Sequence, residues 1–393
     1  MQDGTGGPAT CLARWAIGSL NRLVPKRRKA VLAGFPDVED SMLEIARHLL
    51  DRGDIAVVIL TRDELPRPVR DRLPVTWRRT RSLRGLYHYL TARFVFFTHG
   101  LYLSPRPPRS QTCVNVWHGM PIKRIGHLLG RTPPPSTFVL ATSEMFQGLV
   151  ARCFGMAKGE VLITGLPRND VLVRAARRSG EIKGAIGLAN GGKPPRLITW
   201  LPTYRQAVRG VIRTDGVASR SIFGMDDIDM ADFEAFLAAN DCVCIVKAHP
   251  MAAEYASAAS ADAVRIWKDR DLLDRGTTLY ELVGASDMLI TDASSVYVDF
   301  MLVNKPVVIA FPDLEEYRQT RGFAVDPVED FFAGPVATSF TELKAAISEA
   351  LLADPYETAR AGVTRSFHMH ADDRATARLL DTVIGARGRP PAI

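Results

Sequence analysis

Residues 30–60, AVLAGFPDVEDSMLEIARHLLDRGDIAVVIL, carry the pattern on which the fold reading rests. Two short apolar runs, 30–34 (AVLAG) and 55–60 (IAVVIL), flank a segment, 37–52, in which Met42, Ile45, Ala46 and Leu49 recur at helical spacing. A strand that is apolar along its whole length is buried on both faces, which happens where helices cover a parallel sheet. The strand–helix–strand unit therefore predicts a parallel α/β fold. Working outward, the runs at 94–98 (FVFFT), 114–117 (VNVW), 138–141 (FVLA) and 161–164 (VLIT) continue the same style. A second set lies at 197–201 (LITWL), 242–248 (CVCIVKA), 288–291 (MLIT) and 306–311 (PVVIAF), with helical segments at 230–240 and 278–285. Between the sets, residues 179–196 include GGKPP, which cannot continue a helix. The boundary is placed there, giving a basic amphipathic segment 1–29, α/β domains at 30–178 and 179–384, and a flexible tail 385–393.

The chain has 393 residues, 47% hydrophobic and 24% charged, which excludes a disordered or collagen-like chain and suits two α/β domains better than one. A net charge of +7 favours phosphate-rich partners or an anionic membrane surface. The basic runs (Lys26-Arg27-Arg28-Lys29; Arg67, Arg70, Arg72; Arg78, Arg79, Arg81, Arg84) read as solvated faces. No nucleic-acid reading motif accompanies them, so no nucleic acid is expected as a partner. The five cysteines, Cys11, Cys113, Cys153, Cys242 and Cys244, are scattered and read as small core hydrophobes in a reducing compartment. No uncharged apolar run reaches the roughly 18 residues of a membrane span, and the N-terminus lacks the basic start of a secretory signal. A cytoplasmic protein is expected. Segment 11–29 nevertheless places Leu12, Trp15, Ile17, Leu20 and Leu23 near helical spacing beside Arg14, Arg22 and the 26–29 cluster. That composition suits an interfacial helix on an anionic membrane, and equally a short packed helix followed by a basic linker.

Four islands of chemically capable residues follow apolar strands, where open parallel sheets present ligands. In VNVWHGMPIKRIG (114–126), His118 leaves the strand just before Gly119, suited to general-base work near neutral pH or to a structural strand-end role, and Lys123 and Arg124 follow within reach of an anion. In TGLPRND (164–170), Arg168 can fork onto a phosphate, and Asp170 can orient it or cap the following helix. WLPTYR (200–205) and VKAHP (246–250) bring Thr203, Arg205 and His249; Lys247 is expected to be solvated, as strand-end lysines usually are. In SDMLITDASSVYVDF (286–300), Asp292 precedes Ser294 and Ser295 at a helix start, where first-turn amides, the helix dipole and two hydroxyls can cradle a pyrophosphate; plain N-capping by the serines is the alternative.

Taken in order, His118-Gly119 with Pro121 and Lys123, Gly165 with Pro167-Arg168-Asn169-Asp170, Pro202-Thr203 with Arg205, His249-Pro250, Thr291-Asp292 with Ser294-Ser295 and Asp299, and DLEEYRQTRGF (313–323) resemble the CDP-glycerol glycerophosphotransferase family, which builds teichoic acids and related phosphate-linked capsular polymers. The chain departs from the family pattern at Met120, Tyr204 and Ala293, which removes no chemical group the reaction needs. The resemblance implies two Rossmann-like domains in the glycosyltransferase B arrangement, the first presenting the acceptor and the second holding the nucleotide. It also implies a C-terminal helix, with 376–384 as candidate, returning to the first domain. The size of the chain, close to the family's catalytic region alone, leans toward a primase-like or short-chain transferase.

On this resemblance an acceptor hydroxyl, deprotonated by His118, is expected to attack the β-phosphorus of CDP-glycerol or CDP-ribitol and displace CMP. His249, Ser294 and Ser295 would hold the pyrophosphate with Thr203 and Arg205 beside them, and Asp292 or Asp299 would orient His249. Arg168 and Asp170 would organise the transferred group, and Lys123 would contact a substrate phosphate. No tightly bound metal or cofactor is expected. The partners implied are a CDP-polyol donor, a lipid-linked or polymeric acceptor, and an anionic membrane surface on the inner face of the plasma membrane through residues 11–29. The rival readings are a nucleotide-sugar glycosyltransferase or epimerase of the same fold, and a non-catalytic polymer- or membrane-binding protein.

Overall fold

The computed structural model describes residues 7–64, 67–188, 192–202, 223–247 and 262–385. The chain divides into two compact units, one made of residues 1–120, 125–170 and 368–393, the other of 121–124 and 171–367.

The first unit is built on seven strands: β1 (Arg27–Ala33), β2 (Ala56–Thr61), β3 (Thr76–Arg79), β4 (Ala92–Phe97), β5 (Thr112–Asn115), β6 (Phe138–Ala141) and β7 (Val161–Ile163). They form one sheet in the order β3-β2-β1-β4-β5-β6-β7, every pair parallel. Val31, Ala33, Val58, Leu60, Val95 and Phe97 pack one core cluster with Tyr89, Leu90 and Cys113. The helix Asp40–Arg52 buries Met42, Ile45, Ala46 and Leu49, as their spacing predicts; the Glu39 side chain caps its start, and Gly53 at φ 71° ends it. The chain order reverses between β1 and β4, so the C-terminal ends of β1, β4 and β5 border a switch point.

The second unit carries β8 (Arg196–Leu201), β9 (Cys242–Lys247), β10 (Val264–Trp267), β11 (Met288–Thr291), β12 (Val307–Ala310) and β13 (Val336–Ala337), in the order β10-β9-β8-β11-β12-β13. All pairs are again parallel, and the switch lies between β8 and β11. Cys242 and Cys244 point to one face and join the cluster of Ile198, Trp200, Phe233 and Ile290. The α/β fold with two parallel sheets agrees with the sequence reading. The sequence patterns miss β3, β10 and β13, because an outer strand needs fewer apolar residues than a central one, and β13 has only two.

Several expectations are corrected. The division falls after Asp170, inside the helix Pro167–Arg177, rather than at 178/179, because the Gly/Pro-rich stretch only follows a further helix, Ser179–Ala185, already packed in the second unit. In the basic run at 26–29, Arg27 and Arg28 are exposed, but the two lysines turn inward: Lys26 Nζ donates to Asn21 Oδ1 and to the Leu90 carbonyl, each at 2.6 Å, and Lys29, 6% exposed and inside β1, donates to Thr91 Oγ1 at 2.6 Å. Cys11 is exposed, while the other four cysteines are buried. No helix among the described residues is long and apolar enough to cross a membrane.

Candidate functional site

His118 stands at the C-terminal end of β5, and the local sequence explains how it leaves the sheet. Asn115 Oδ1 accepts the Trp117 N–H at 3.0 Å, which ends the strand two residues before the expected Trp117. Trp117 then takes φ 58° and Gly119 φ 122°. A bulky residue in the left-handed region is costly and is kept where surrounding packing over-determines it, a frequent property of active sites. Here the packing is aromatic: the Trp117 ring meets Phe154 edge-on at 5.0 Å and lies 3.9 Å from the His118 ring, centroid to centroid. On another side His118 stacks on His99 at 4.7 Å and 15°. His99 follows β4, its Nδ1 2.9 Å from Thr98 Oγ1, its ring edge-on to Phe35 at 5.3 Å. The ends of β1, β4 and β5 thus build one aromatic corner around a half-buried histidine.

Arg168 and Asp170 lie in the first turn of Pro167–Arg177, both buried. Facing Arg168 electrostatically is Glu39, which no motif singles out. Burial pushes the Glu39 carboxyl above the ordinary range, and the Arg168 guanidinium opposes that rise. Asp170 does not cap its own helix. Its two carboxylate oxygens accept the Ala375 and Thr376 N–H groups at 2.8 and 2.9 Å, capping the helix Ala375–Ile384. That helix is grouped with the first unit. Burial raises the Asp170 carboxyl against the pull of these bonds. Glu44, His48 and Asp170 converge at ligand-compatible spacing, but Glu44 pairs with Arg47 and His48, and Asp170 holds the two amides.

In the second unit, Lys123 forms an antiparallel bridge with Phe323. Arg124 N–H donates to the Gly322 carbonyl, and Ala324 N–H to the Ile122 carbonyl, at 3.1 and 2.7 Å. Residues 122–124 and 322–324, all in the second unit, are therefore joined by backbone hydrogen bonds. A Cβ on Gly322, φ 68°, would lie 2.9 Å from Arg124 Nε. After β11, Asp292 is buried, and Ser294 and Ser295 are half-buried. The helix they precede, Val296–Phe300, has only five residues, so its dipole adds less than expected, and the Ser295 hydroxyl makes no capping bond to it. Asp299, fully buried, accepts the Tyr280 hydroxyl at 2.6 Å. Lys247 is not solvated: it is 6% exposed and pairs with Asp269 at 3.1 Å. Thr203, Arg205 and His249 lie outside the described residues.

The sequence reading passes over His99, Glu39 and Trp117. His99 does follow an apolar strand, the signal used for the four islands, but it brings no further motif.

Comparison with known proteins gives the family and the fold of the chain. Residues 19–385 match the family described as CDP-Glycerol:Poly(glycerophosphate) glycerophosphotransferase. The teichoic acid ribitol-phosphate polymerase TarL of Staphylococcus aureus is 26% identical over 75% of this chain and 51% of its own length. A teichoic acid poly(glycerol phosphate) polymerase of Bacillus spizizenii is 26% identical over 65% of this chain and 66% of its own. The chain thus spans about half to two thirds of these relatives. A histidine-to-asparagine variant of the wall teichoic acid polymerase TagF shares the fold with a TM-score of 0.75 at 18% identity, covering 95% of this chain and 96% of that one. UDP-GlcNAc 2-epimerase of Neisseria meningitidis, bound to UDP-GlcNAc, shares it more distantly, with a TM-score of 0.57 at 11% identity, over 92% of this chain and all of that one. With the family match spanning nearly the whole chain, the chain belongs to the CDP-glycerol:poly(glycerophosphate) glycerophosphotransferase family.

Proposed function

We propose that the chain is a glycosyltransferase-B-type transferase that moves a polyol phosphate, glycerol phosphate first, from a CDP-linked donor to a hydroxyl of a lipid-linked or polymeric acceptor. The observation that carries the reading is His118, half-buried at a strand end and held in a strained aromatic corner, in a chain whose family is named for this transfer. His118 takes the proton of the acceptor hydroxyl. The oxygen attacks the β-phosphorus, the bond from that phosphorus to the bridging oxygen breaks, and CMP leaves. Ser294 and Ser295, with Thr203, Arg205 and His249, hold the pyrophosphate; Lys123 and Arg168 meet substrate charge. Asp292 orients His249. Asp170 and Asp299 act one step back, by fixing the C-terminal helix and by holding Tyr280. Tightly bound metal is not part of the proposal.

The relatives support a CDP-polyol donor: their names include both ribitol-phosphate and glycerol-phosphate enzymes, and TagF was solved after soaking with CDPG. The helix Pro8–Leu23 supports a place of reaction at a membrane surface. Its Gly18 and Asn21 are buried, while Leu12, Trp15, Leu20 and Leu23 are exposed, Trp15 at 67% and Leu23 at 80%. We assign this stripe, flanked by Arg14 and Arg22, to the surface of an anionic membrane, where a lipid-linked acceptor would be met.

The test is nucleotide release from CDP-glycerol, CDP-ribitol and UDP-sugars, with and without lipid-linked acceptor. Acceptor-dependent CMP release is expected, unchanged by EDTA and lowered by at least about a hundredfold in His118→Ala with donor affinity retained. UDP release, or full activity of His118→Ala, would reject the reading.

A further inference from the structure

The corner around His118 contains a second imidazole that no motif assigns. His99 is fixed from two directions besides His118: Thr98 Oγ1 lies 2.9 Å from its Nδ1, and Phe35 meets its ring edge-on at 5.3 Å and 78°. Thr98 is itself held, since its Oγ1 accepts the Phe35 N–H at 3.0 Å. The β1 and β4 ends thus lock one another, and the His99 ring presents a near-parallel face to His118 at 4.7 Å and 15°. Arg62, at the end of β2, is the charged side chain that acts on His99; it lies 4.1 Å over the Phe35 ring. The Asp37 carboxylate accepts the Arg62 N–H at 2.8 Å, which fixes that loop in turn.

We propose that His99 is a positioning residue of the transfer: its ring face holds His118 in the orientation that meets the acceptor hydroxyl, and supports the positive charge His118 gains on taking the proton. The inference rests on His118 being the base. Two stacked imidazoles serve a base only if one of them stays neutral while the other titrates. Burial first, and Arg62 second, push His99 down to about 4, so above pH 5 it is the uncharged member. An aromatic face within about 6 Å of a cation attracts it, and the 4.7 Å spacing meets that condition. A wall fixed by Thr98 and Phe35 also limits the rotamers of His118, and misplacement of about 1 Å can cost a hundredfold in rate.

The test uses the full chain with two substitutions of similar volume. His99→Leu keeps an apolar filler and removes the ring face; His99→Phe restores the face without the nitrogens. Turnover is followed against pH, and the His118 ring is titrated by NMR in the substrate-free protein, its signal identified by its loss in His118→Ala. In His99→Leu, kcat should fall about tenfold with donor KM within about twofold. The His118 titration and the acidic limb of the rate profile should both move down by about half a pH unit, as the imidazolium keeps the Trp117 ring and loses the second aromatic face that His99 supplies. His99→Phe should recover most of both effects. Should His99→Leu match wild type in kcat and titration, or His99→Phe be as impaired as His99→Leu, the role of His99 is rejected while an inactive His118→Ala leaves the base assignment standing. An active His118→Ala removes the base, and the positioning role with it. A variant that fails to fold is recognised by its thermal melt, and the other then decides through the NMR titration.

Discussion

Glu39 shows how one buried carboxyl can serve two purposes. Its Oε2 accepts the Met42 N–H at 3.1 Å and so caps the helix Asp40–Arg52, while its charge faces Arg168. Burial is the larger effect, so the folded chain holds the Glu39 proton to higher pH than the unfolded chain does. The sign follows: the stability tied to this proton is fully present at acid pH and is lost as pH rises above the ordinary glutamate value of 4.5 through the higher folded one. Glu39→Gln keeps a capping oxygen and carries no charge. Its urea midpoint, compared with wild type, should therefore rise between pH 4.5 and 7.5. The opposite trend would mean that the attraction to Arg168 outweighs burial.

At the level of elements, close approach decides more than propensity. The helices Pro167–Arg177 and Leu279–Ala285 meet at Gly284, where an added Cβ would lie 2.4 Å from the Leu172 carbonyl oxygen and 2.7 Å from Ala175 Cβ. Alanine is the better helix former by about 1 kcal/mol, but overpacking against backbone costs typically about 1–3 kcal/mol. Gly284→Ala is thus expected to destabilise the second unit by up to about 2 kcal/mol net, read from the denaturant midpoint. A more stable variant would show that the two helices can separate without loss. The one-turn helix Val296–Phe300 gives the matching lesson for the site: with so few aligned peptide units, recognition of a pyrophosphate there depends on hydroxyls and amides more than on a dipole.

At the scale of the whole molecule, the first unit is completed by residues from both ends of the chain. The C-terminal helix Ala375–Ile384 buries Leu379, Leu380, Val383 and Ile384 there, and the N-terminal helix Pro8–Leu23 packs on Leu83–Thr91. The latter leaves its apolar stripe outward, an arrangement that costs free energy in water unless another surface covers it. Wild type is expected to sediment with vesicles containing anionic phosphatidylglycerol, less so at high salt. The double variant Leu12→Ser/Trp15→Ser should lose binding with little change in thermal stability, because both side chains are exposed, at 66% and 67%. Equal sedimentation of variant and wild type would remove the membrane role.

Local pattern alone determined the parallel α/β style, the central strands, the helix Asp40–Arg52 and the position of His118 after a strand, because periodicity and strand-end polarity are properties of neighbours in sequence. Within each sheet the C-terminal ends of the parallel strands lie along one edge, so a motif that follows an apolar run reads as a candidate for the ligand-facing edge of its own sheet. Tertiary packing decided the rest. The His99–His118 stack, the electrostatic influence of Arg168 on Glu39, and the Asp170 cap on Ala375 and Thr376 join residues that are not neighbours in sequence. The inward turn of Lys26, Lys29 and Lys247 reverses the usual solvation of lysine because carbonyl, hydroxyl and carboxylate partners meet them inside. Such contacts are set by how elements dock, and residue type or spacing does not encode them.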